Sequence, residues 1–469
     1  MLVSVPHGGA AGNILRTGIL SRVLDADRSL RVVLVSPLVR DPGFVREFTD
    51  PRITLESLPP HRPEGLEARL LALMQAGYLE SGVTESVKIR RAEATAKGAV
   101  RWLPLKKFAA SVVAPSMLRP ESRYDVSDRF VSHPHAAELF DRYQPALLVV
   151  SNPGLIFSEV PLLRTAKQRG VRTIAIDPSW DNFTNKLIPV RRVDRLIVWN
   201  DLMKEQAIAL HGYSEAQIRV AGTPQWDRYF HDDIIVPRDV FMRQIGADPA
   251  KKLVTLTTSP AELYPHFDHV IRVMAAAVAG GRWSDTQVLV RVHPRDEIGR
   301  YAPFTNTPHV MIEKPFKPTV RAGDGMAVDT TGETQRHLAN TMRHSDVVVQ
   351  VASTIAIEAA IFDTPVVNVS FDGETPDEFV RSARRYNQFT HFVNITRHNS
   401  LRDASTPEAM VEHVATYLAD PSLERGGRRQ VVLDQCQFLD GRAAQRVAGF
   451  VVEELAAVTG RQLASSCVA

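Results

Sequence analysis

Short apolar runs recur along the chain, each closed by Gly, Pro, Ser, Thr or Asp and separated by stretches with helical spacing of apolar positions. Leu2–Pro6, Arg31–Ser36 and Arg52–Leu58 read as strands, with a helix from Ile14 to about Leu24 between the first two. The same grammar returns at Ala146–Ser151, Thr173–Asp177, Arg195–Trp199 and Ile218–Ala221. A turn-rich passage, His231–Arg238, breaks the rhythm, and a second series follows. Its strands are Leu253–Thr257, Gln287–Val292, Val310–Glu313, Val347–Val351 and Pro365–Val369. Its helices are Pro265–Ala279, Thr334–His344, Thr354–Phe362, Pro407–Ala419 and Gly441–Val458. Alternating strands and helices specify parallel sheets. The pattern therefore predicts an α/β protein of two Rossmann-like domains, 1–235 (with a helical insertion) and 236–440, followed by a C-terminal helix and tail, 441–469. A cleft is expected between the domains. Ligands of open α/β sheets bind outside the carboxyl ends of the strands, so the residues after each strand are the candidates for chemistry.

Composition narrows the functional classes. The 469 residues carry 56 Lys and Arg against 53 Asp and Glu, a net charge of +3, which lacks the basic surplus of a nucleic-acid binder. The two cysteines, Cys436 and Cys467, cannot form a cysteine-rich zinc site or a disulfide framework. No apolar run reaches the ~18 residues of a membrane span, and the first residues enter a strand without the basic start of a signal peptide. A cytoplasmic location is expected. One local asymmetry stands out. Residues 85–123 hold nine Lys or Arg against three Glu, with Trp102, Leu103, Leu105 and Phe108 interleaved. Such a stretch suits a solvated helical face or a peripheral contact with anionic lipid on the inner membrane face.

Five strand ends carry candidate chemistry. His7 begins a glycine-containing turn (Gly8, Gly9, Gly12, Asn13) that lets a ligand approach helix-terminal N–H groups. It lacks the G-x-G-x-x-G spacing, and no acidic residue ends the next strand, which disfavours a nicotinamide dinucleotide. Asp177, Trp180, Asp181 and Asn182 concentrate carboxylates, an indole and an amide, a set suited to general-base work and sugar recognition; helix capping is the plainer use of the two acids. Thr258 and Ser259 offer hydroxyls to a diphosphate or to an ordinary turn. Arg291, His293 and Arg295 gather donors where charge on a leaving phosphate could be stabilised. Ser353 and Thr354 start a helix, with Glu358 one turn on, placed to accept ribose hydroxyls.

Several of these passages, in this order, resemble the GT-B glycosyltransferases. They are Arg291-Val292-His293-Pro294, Ser353-Thr354 with Glu358 and the following Asp363-Thr364-Pro365-Val366-Val367, Gly222-Thr223-Pro224-Gln225-Trp226-Asp227, and Asp440-Gly441-Arg442-Ala443. The chain is especially similar to the group around CDP-glycerol glycerophosphotransferases and capsule polysaccharide transferases. That resemblance implies a nucleotide-sugar donor in the second domain, a glycan or lipid-linked acceptor in the first, no cofactor and no metal ligated by the protein. His293 and Arg295 would face the donor phosphates, with Ser353 and Thr354 contacting phosphate and Glu358 the ribose. The catalytic base would come from His7, Asp177 or Asp181, and the acceptor would meet Gly9, Asn13, Trp180 and Asn182. Where the phosphotransferases carry an acidic-Tyr-Ser-Ser stretch this chain has Gln350-Val351-Ala352-Ser353, which favours sugar transfer over polyol-phosphate transfer. The Thr-Glu-Arg-Pro-Glu signature of UDP-sugar 2-epimerases is missing after Pro365. A CDP-polyol phosphotransferase and a non-catalytic nucleotide-binding scaffold are the competing expectations.

Overall fold

The structure, a computed structural model, describes residues 1–98, 131–186, 189–318, 328–329 and 332–461. Seven strands form the first sheet: β1 (Leu2–Ser4), β2 (Val32–Val35), β3 (Ile53–Glu56), β4 (Leu147–Val150), β5 (Arg172–Ile176), β6 (Arg195–Val198) and β7 (Ile218–Val220). All pair in parallel, in the order β3-β2-β1-β4-β5-β6-β7. The second domain supplies β8 (Lys252–Thr257), β9 (Thr286–Arg291) and β10 (Val310–Glu313). A two-residue antiparallel pair, β11 (Lys317–Pro318) and β12 (Val328–Asp329), precedes β13 (Val347–Gln350), β14 (Val366–Val369) and β15 (Arg402–Ala404). Its main sheet is also all parallel, ordered β10-β9-β8-β13-β14-β15. Helices cover both faces of such sheets, which is why the strands read as unbroken apolar runs. The strand order reverses between β1 and β4 and again between β8 and β13, creating one switch point per domain.

The first helix departs from expectation. Glycines at 8, 9 and 12 argue for a loop, yet the chain winds at once into a helical turn, Gly8–Ala10, then a π turn, Ala11–Leu15. The imidazole of His7 makes this start by accepting the Ala10 N–H at its Nδ1, 3.2 Å away. Helix Ile19–Ala26 begins only after Gly18, whose φ of 81° is the left-handed break between the two pieces.

The last helix, Ala443–Thr459, returns to the first domain. Its buried Val447, Val451 and Leu455 pack with Ile19, Leu20 and Val23. Asp227, in the segment leaving the first domain, caps it: the two carboxylate oxygens accept the N–H groups of Ala443 (2.8 Å) and Ala444 (2.7 Å). The outgoing and returning crossings of the chain are thereby fastened side by side.

Helix Glu85–Ala96 holds the described part of the basic segment, and it faces the second domain. Ser86 Oγ accepts the Thr390 N–H at 2.8 Å, and Arg385 donates to Glu93 at 2.7 Å. Three of its cations have partners: Lys88 with Glu85, Arg90 with Glu93 and Asn185, Arg91 with Glu80. The bonds to Thr390 and Arg385 make this helix an interdomain brace. Residues 99–123 lie outside the described residues, as does Cys467. Among the described residues, no helix is long and apolar enough to cross a membrane.

Candidate active site

The carboxyl ends of the first sheet look toward the second domain. Trp180, after β5, meets His391 edge-on with ring centroids 4.8 Å apart. Asp177 follows the same strand and is almost wholly buried. Its Oδ1 accepts the Ser179 N–H (3.0 Å) and the Asn182 amide (2.6 Å), while Oδ2 has no partner among the described residues. Burial pushes its pKa up to about 7, against the opposing charge of Lys186. Asp181 behaves in the reverse way. Burial acts to raise its pKa, but the charges of Lys186 and His391 and the hydrogen bonds of Ser179 and Asn185 hold it well below the usual carboxylate range. One loop therefore presents an ionised carboxylate, half-buried at its rim, and a second carboxyl that keeps a proton into the neutral range. Such a split separates acid and base roles.

His7 is set as a donor. Burial and the charge of Lys186 lower its pKa to about 4, and its Nδ1 is engaged by Ala10, so the neutral ring carries its hydrogen on Nε2. Accepting a proton from substrate at that atom would require giving up the cap. Gly9, in the helical turn, and Asn13, in the π turn that follows, are both half-buried. Asn182 is fully buried and is tied to Asp177 and to Lys186 Nζ, 2.6 Å away, so it organises the loop from within.

At the second switch point the same device recurs. His293 follows β9; its Nδ1 accepts the Arg295 N–H at 3.0 Å, and burial and then the charge of Arg295 lower its pKa to about 4. A neutral ring with Nε2–H outward results. Thr258 fixes it by accepting the His293 N–H at 2.8 Å, a positioning role. Ser259 is half-buried, and its hydroxyl has no partner among the described residues. Arg295 is exposed. Beyond β13, Ala352 sits at φ 25°, and its N–H is held by Asn368 Oδ1 at 2.8 Å. A non-glycine residue there stores on the order of 1–3 kcal/mol, and such strain marks functional turns. Ser353 and Thr354 follow, half-buried, at the start of helix Ile355–Ile361.

Arg291 does not join that group. It ends β9 in register with Glu313 of β10 and is 4% exposed. Its Nη1 donates to Glu313 Oε1 at 3.0 Å and reaches His337 Nδ1 at 2.9 Å. Its guanidinium is taken up by Glu313 on the neighbouring strand and His337 on the following helix, which leaves it buried in that pairing and not offered beside the exposed Arg295. Glu358 lies within reach of the Arg291 charge. Its Oε2 accepts the Tyr229 hydroxyl at 2.7 Å, and no described residue hydrogen-bonds Oε1. Burial pushes the Glu358 pKa up to about 7. The neighbouring strand ends add unused polarity: the Thr257 hydroxyl and both amide atoms of Gln350 are buried without partners among the described residues.

Lys186, Asn185, Tyr229, His391 and Gln350 escape a reading by motif. Lys186 acts on His7, Asp177, Asp181 and His391 together, a convergence visible only once the loops are assembled. Beside it a cavity of about 420 Å³ is lined by Arg90, Asn185 and Lys186 on one side and Leu79, Leu155, Phe157 and Val190 on the other. The arrangement offers cationic and amide groups beside the ionised Asp181, and hydrogen-bond donors with little acid at the opposing switch point.

No protein-family model matches the sequence, and no characterised protein matches it by sequence. Solved structures match it by fold. A putative UDP-N-acetylglucosamine 2-epimerase from Listeria monocytogenes superimposes with a TM-score of 0.56 at 11% identity, over 97% of this chain and 96% of that one. MnaA of S. aureus, solved with UDP, gives 0.55 at 12% identity over 98% of both chains. The UDP-GlcNAc 2-epimerase of Neisseria meningitidis, solved with UDP-GlcNAc, gives 0.54 at 8% identity over 96% and 99%. The chain shares the two-domain GT-B-like fold of these proteins.

Proposed function

We propose that the chain transfers a sugar from a nucleotide-sugar donor to a hydroxyl of a glycan or lipid-linked acceptor. The observation that carries this reading is the pairing of an ionised carboxylate, Asp181, at the ends of the first sheet with a neutral imidazole donor, His293, at those of the second. In an inverting transfer, the acceptor oxygen attacks the anomeric carbon while its proton passes to Asp181, and the bond from that carbon to the diphosphate breaks. Charge growing on the leaving diphosphate is met by His293 Nε2–H, the Ser259 hydroxyl and Arg295, with Ser353 and Thr354 at the next strand end. Glu358 Oε1 accepts from the ribose. Asp181 rather than Asp177 is the base because it is ionised and reaches the rim, whereas Asp177 is sealed beneath it; His7 donates to the acceptor or sugar. The cationic cavity at Lys186 and Arg90 suits an acceptor bearing an acidic group next to an apolar portion. No step in this scheme calls for a metal or cofactor.

The fold is shared with enzymes whose names specify UDP-GlcNAc epimerisation, so the test must separate chemistries. UDP, GDP, CDP and CMP are screened by thermal shift, since a ligand of the folded state raises its apparent stability. Sugar donors of the bases that bind, and CDP-glycerol, are then assayed for turnover with wild type and His293→Ala. Nucleoside diphosphate release with sugar transfer, reduced about 100-fold by His293→Ala, is expected. Turnover confined to CDP-glycerol, interconversion of the donor sugar without transfer, or no shift with any nucleotide would sink the reading.

A further inference from the structure

A second cavity, of about 510 Å³, lies in the first domain beyond β3. Its walls are apolar at Leu58, Pro59, Leu66 and Leu162; among its polar residues, which include Arg62, Glu64 and His135, the side chains of His61, Glu67 and His133 converge. We propose that these three side chains bind a divalent transition-metal ion, zinc above all, with one coordination position open to the cavity. The site is separate from the nucleotide chemistry proposed above and does not depend on it.

The ligand atoms of the three residues all lie within 4.8 Å of one another. His61 Nε2 is 3.0 Å from Glu67 Oε2, and His133 Nε2 is 4.0 Å from Glu67 Oε1. Tetrahedral zinc with bonds of about 2.0–2.2 Å spaces neighbouring ligand atoms about 3.3–3.5 Å apart. The observed spacings, 3.0 and 4.0 Å with none above 4.8 Å, bracket that value. The two imidazoles stand edge to face, 89° apart with centroids 5.0 Å apart, so they converge on one point instead of stacking.

His133 supplies the independent sign of a missing partner. Its side chain is 9% exposed, and its buried Nε2 makes no hydrogen bond with any described residue. A buried polar atom left in that state costs about 1–3 kcal/mol, and a hydrogen-bonded His–Glu pair between His61 and Glu67 alone does not relieve it. A metal ion does, because it takes the lone pair of Nε2 directly. Arg164 Nη1 donates to Glu67 Oε1 at 2.8 Å, which holds the carboxylate with Oε2 toward His61, as groups behind a metal ligand do. Two imidazoles in a set of three favour an ion bound strongly by nitrogen over the hard, oxygen-seeking Mg²⁺ or Ca²⁺. Two histidines and one carboxylate leave room for a water or a ligand entering from the cavity.

The test uses the full chain, stripped with EDTA and titrated with Zn²⁺ against a chromophoric competitor, with metal content measured after gel filtration. One zinc per chain is expected. His61→Ala and His133→Ala are each expected to weaken binding at least 100-fold, while His309→Ala, at an exposed histidine elsewhere, leaves it unchanged. Co²⁺ loading gives a second reading: a tetrahedral site shows strong visible absorption, which His133→Ala abolishes. Far-UV circular dichroism confirms that the variants are folded. Binding below one equivalent, or equal affinity in wild type and the His61→Ala/His133→Ala double variant, would overturn the proposal. A nucleotide thermal shift retained after zinc removal keeps this outcome distinct from that of the transfer reaction.

Discussion

Tyr229 donates its hydroxyl to Glu358 Oε2 at 2.7 Å, joining the segment that leaves the first domain to the helix after β13. Burial raises the Glu358 pKa to about 7, and the Tyr229 bond and the Arg291 charge oppose that rise. Tyr229→Phe removes one of the two groups that favour the charged form. Losing about 1 kcal/mol there moves the pKa up by under one unit, so fewer carboxylates are ionised at pH 6.5. Nucleotide binding by the variant, measured by calorimetry, is expected to be roughly fourfold weaker at pH 6.5 and near wild type at pH 9. A loss of equal size at both pH values would show that the carboxylate charge is not what the nucleotide uses.

The two acids of the β5 loop are expected to respond differently to the same change. Asp181→Asn removes the proposed base and should lower turnover by about 10³-fold, within the usual range for general bases, while the nucleotide thermal shift stays intact. Asp177→Asn removes a group that is costly to ionise, so turnover should fall less than tenfold and the melting temperature at pH 9 should rise. Equal losses of turnover would place the base elsewhere.

Glu159 offers a test of stability away from the cleft. It is fully buried, with Oε1 accepting from the Ser151 N–H at 2.9 Å, and burial pushes its pKa up to about 8. A carboxyl whose folded pKa lies above its unfolded value loses stability as pH rises through the interval between them. The advantage of Glu159→Gln should therefore be small near pH 4, grow up to about pH 8 and level off above it. The plateau is expected to be on the order of 3–5 kcal/mol. Thermal unfolding of both proteins from pH 4 to 9 checks it; a difference independent of pH would contradict it.

The brace between Glu93 and Arg385 is a buried ion pair, 10% and 7% exposed at the side chains. Breaking such a pair is costly, and Arg385→Met, which leaves Glu93 only its 3.1 Å contact with the more exposed Arg90, should destabilise by about 3 kcal/mol. The double variant Glu93→Leu/Arg385→Met should recover part of that loss. If the double variant is no more stable than Arg385→Met, the coupling is absent.

Apart from β15, both sheets were legible in the chain because strands buried on two faces spell themselves as apolar runs with polar ends; β15, Arg402-Asp403-Ala404, is a short polar edge strand with no such run. The β5 loop was legible for the same reason: Asp177 and Asp181 are conspicuous after Ile174-Ala175-Ile176. Arg291 was not, since its partner Glu313 ends a different strand and only register places them together. The helical turn at Gly8 was hidden because three glycines outweigh one histidine in any local reading, and the cap at His7 is a geometric fact. Lys186 and His391 matter through neighbours far along the chain, and no spacing records that.

The Asp227 clasp on Ala443 and Ala444 sets how the two halves can move. The chain crosses between the halves twice at this clasp, and a third connection runs through Ser86–Thr390 and Glu93–Arg385. Widening the cleft with the clasp closed therefore separates those two pairs, so the brace, far from the clasp in sequence, sets the resistance to opening.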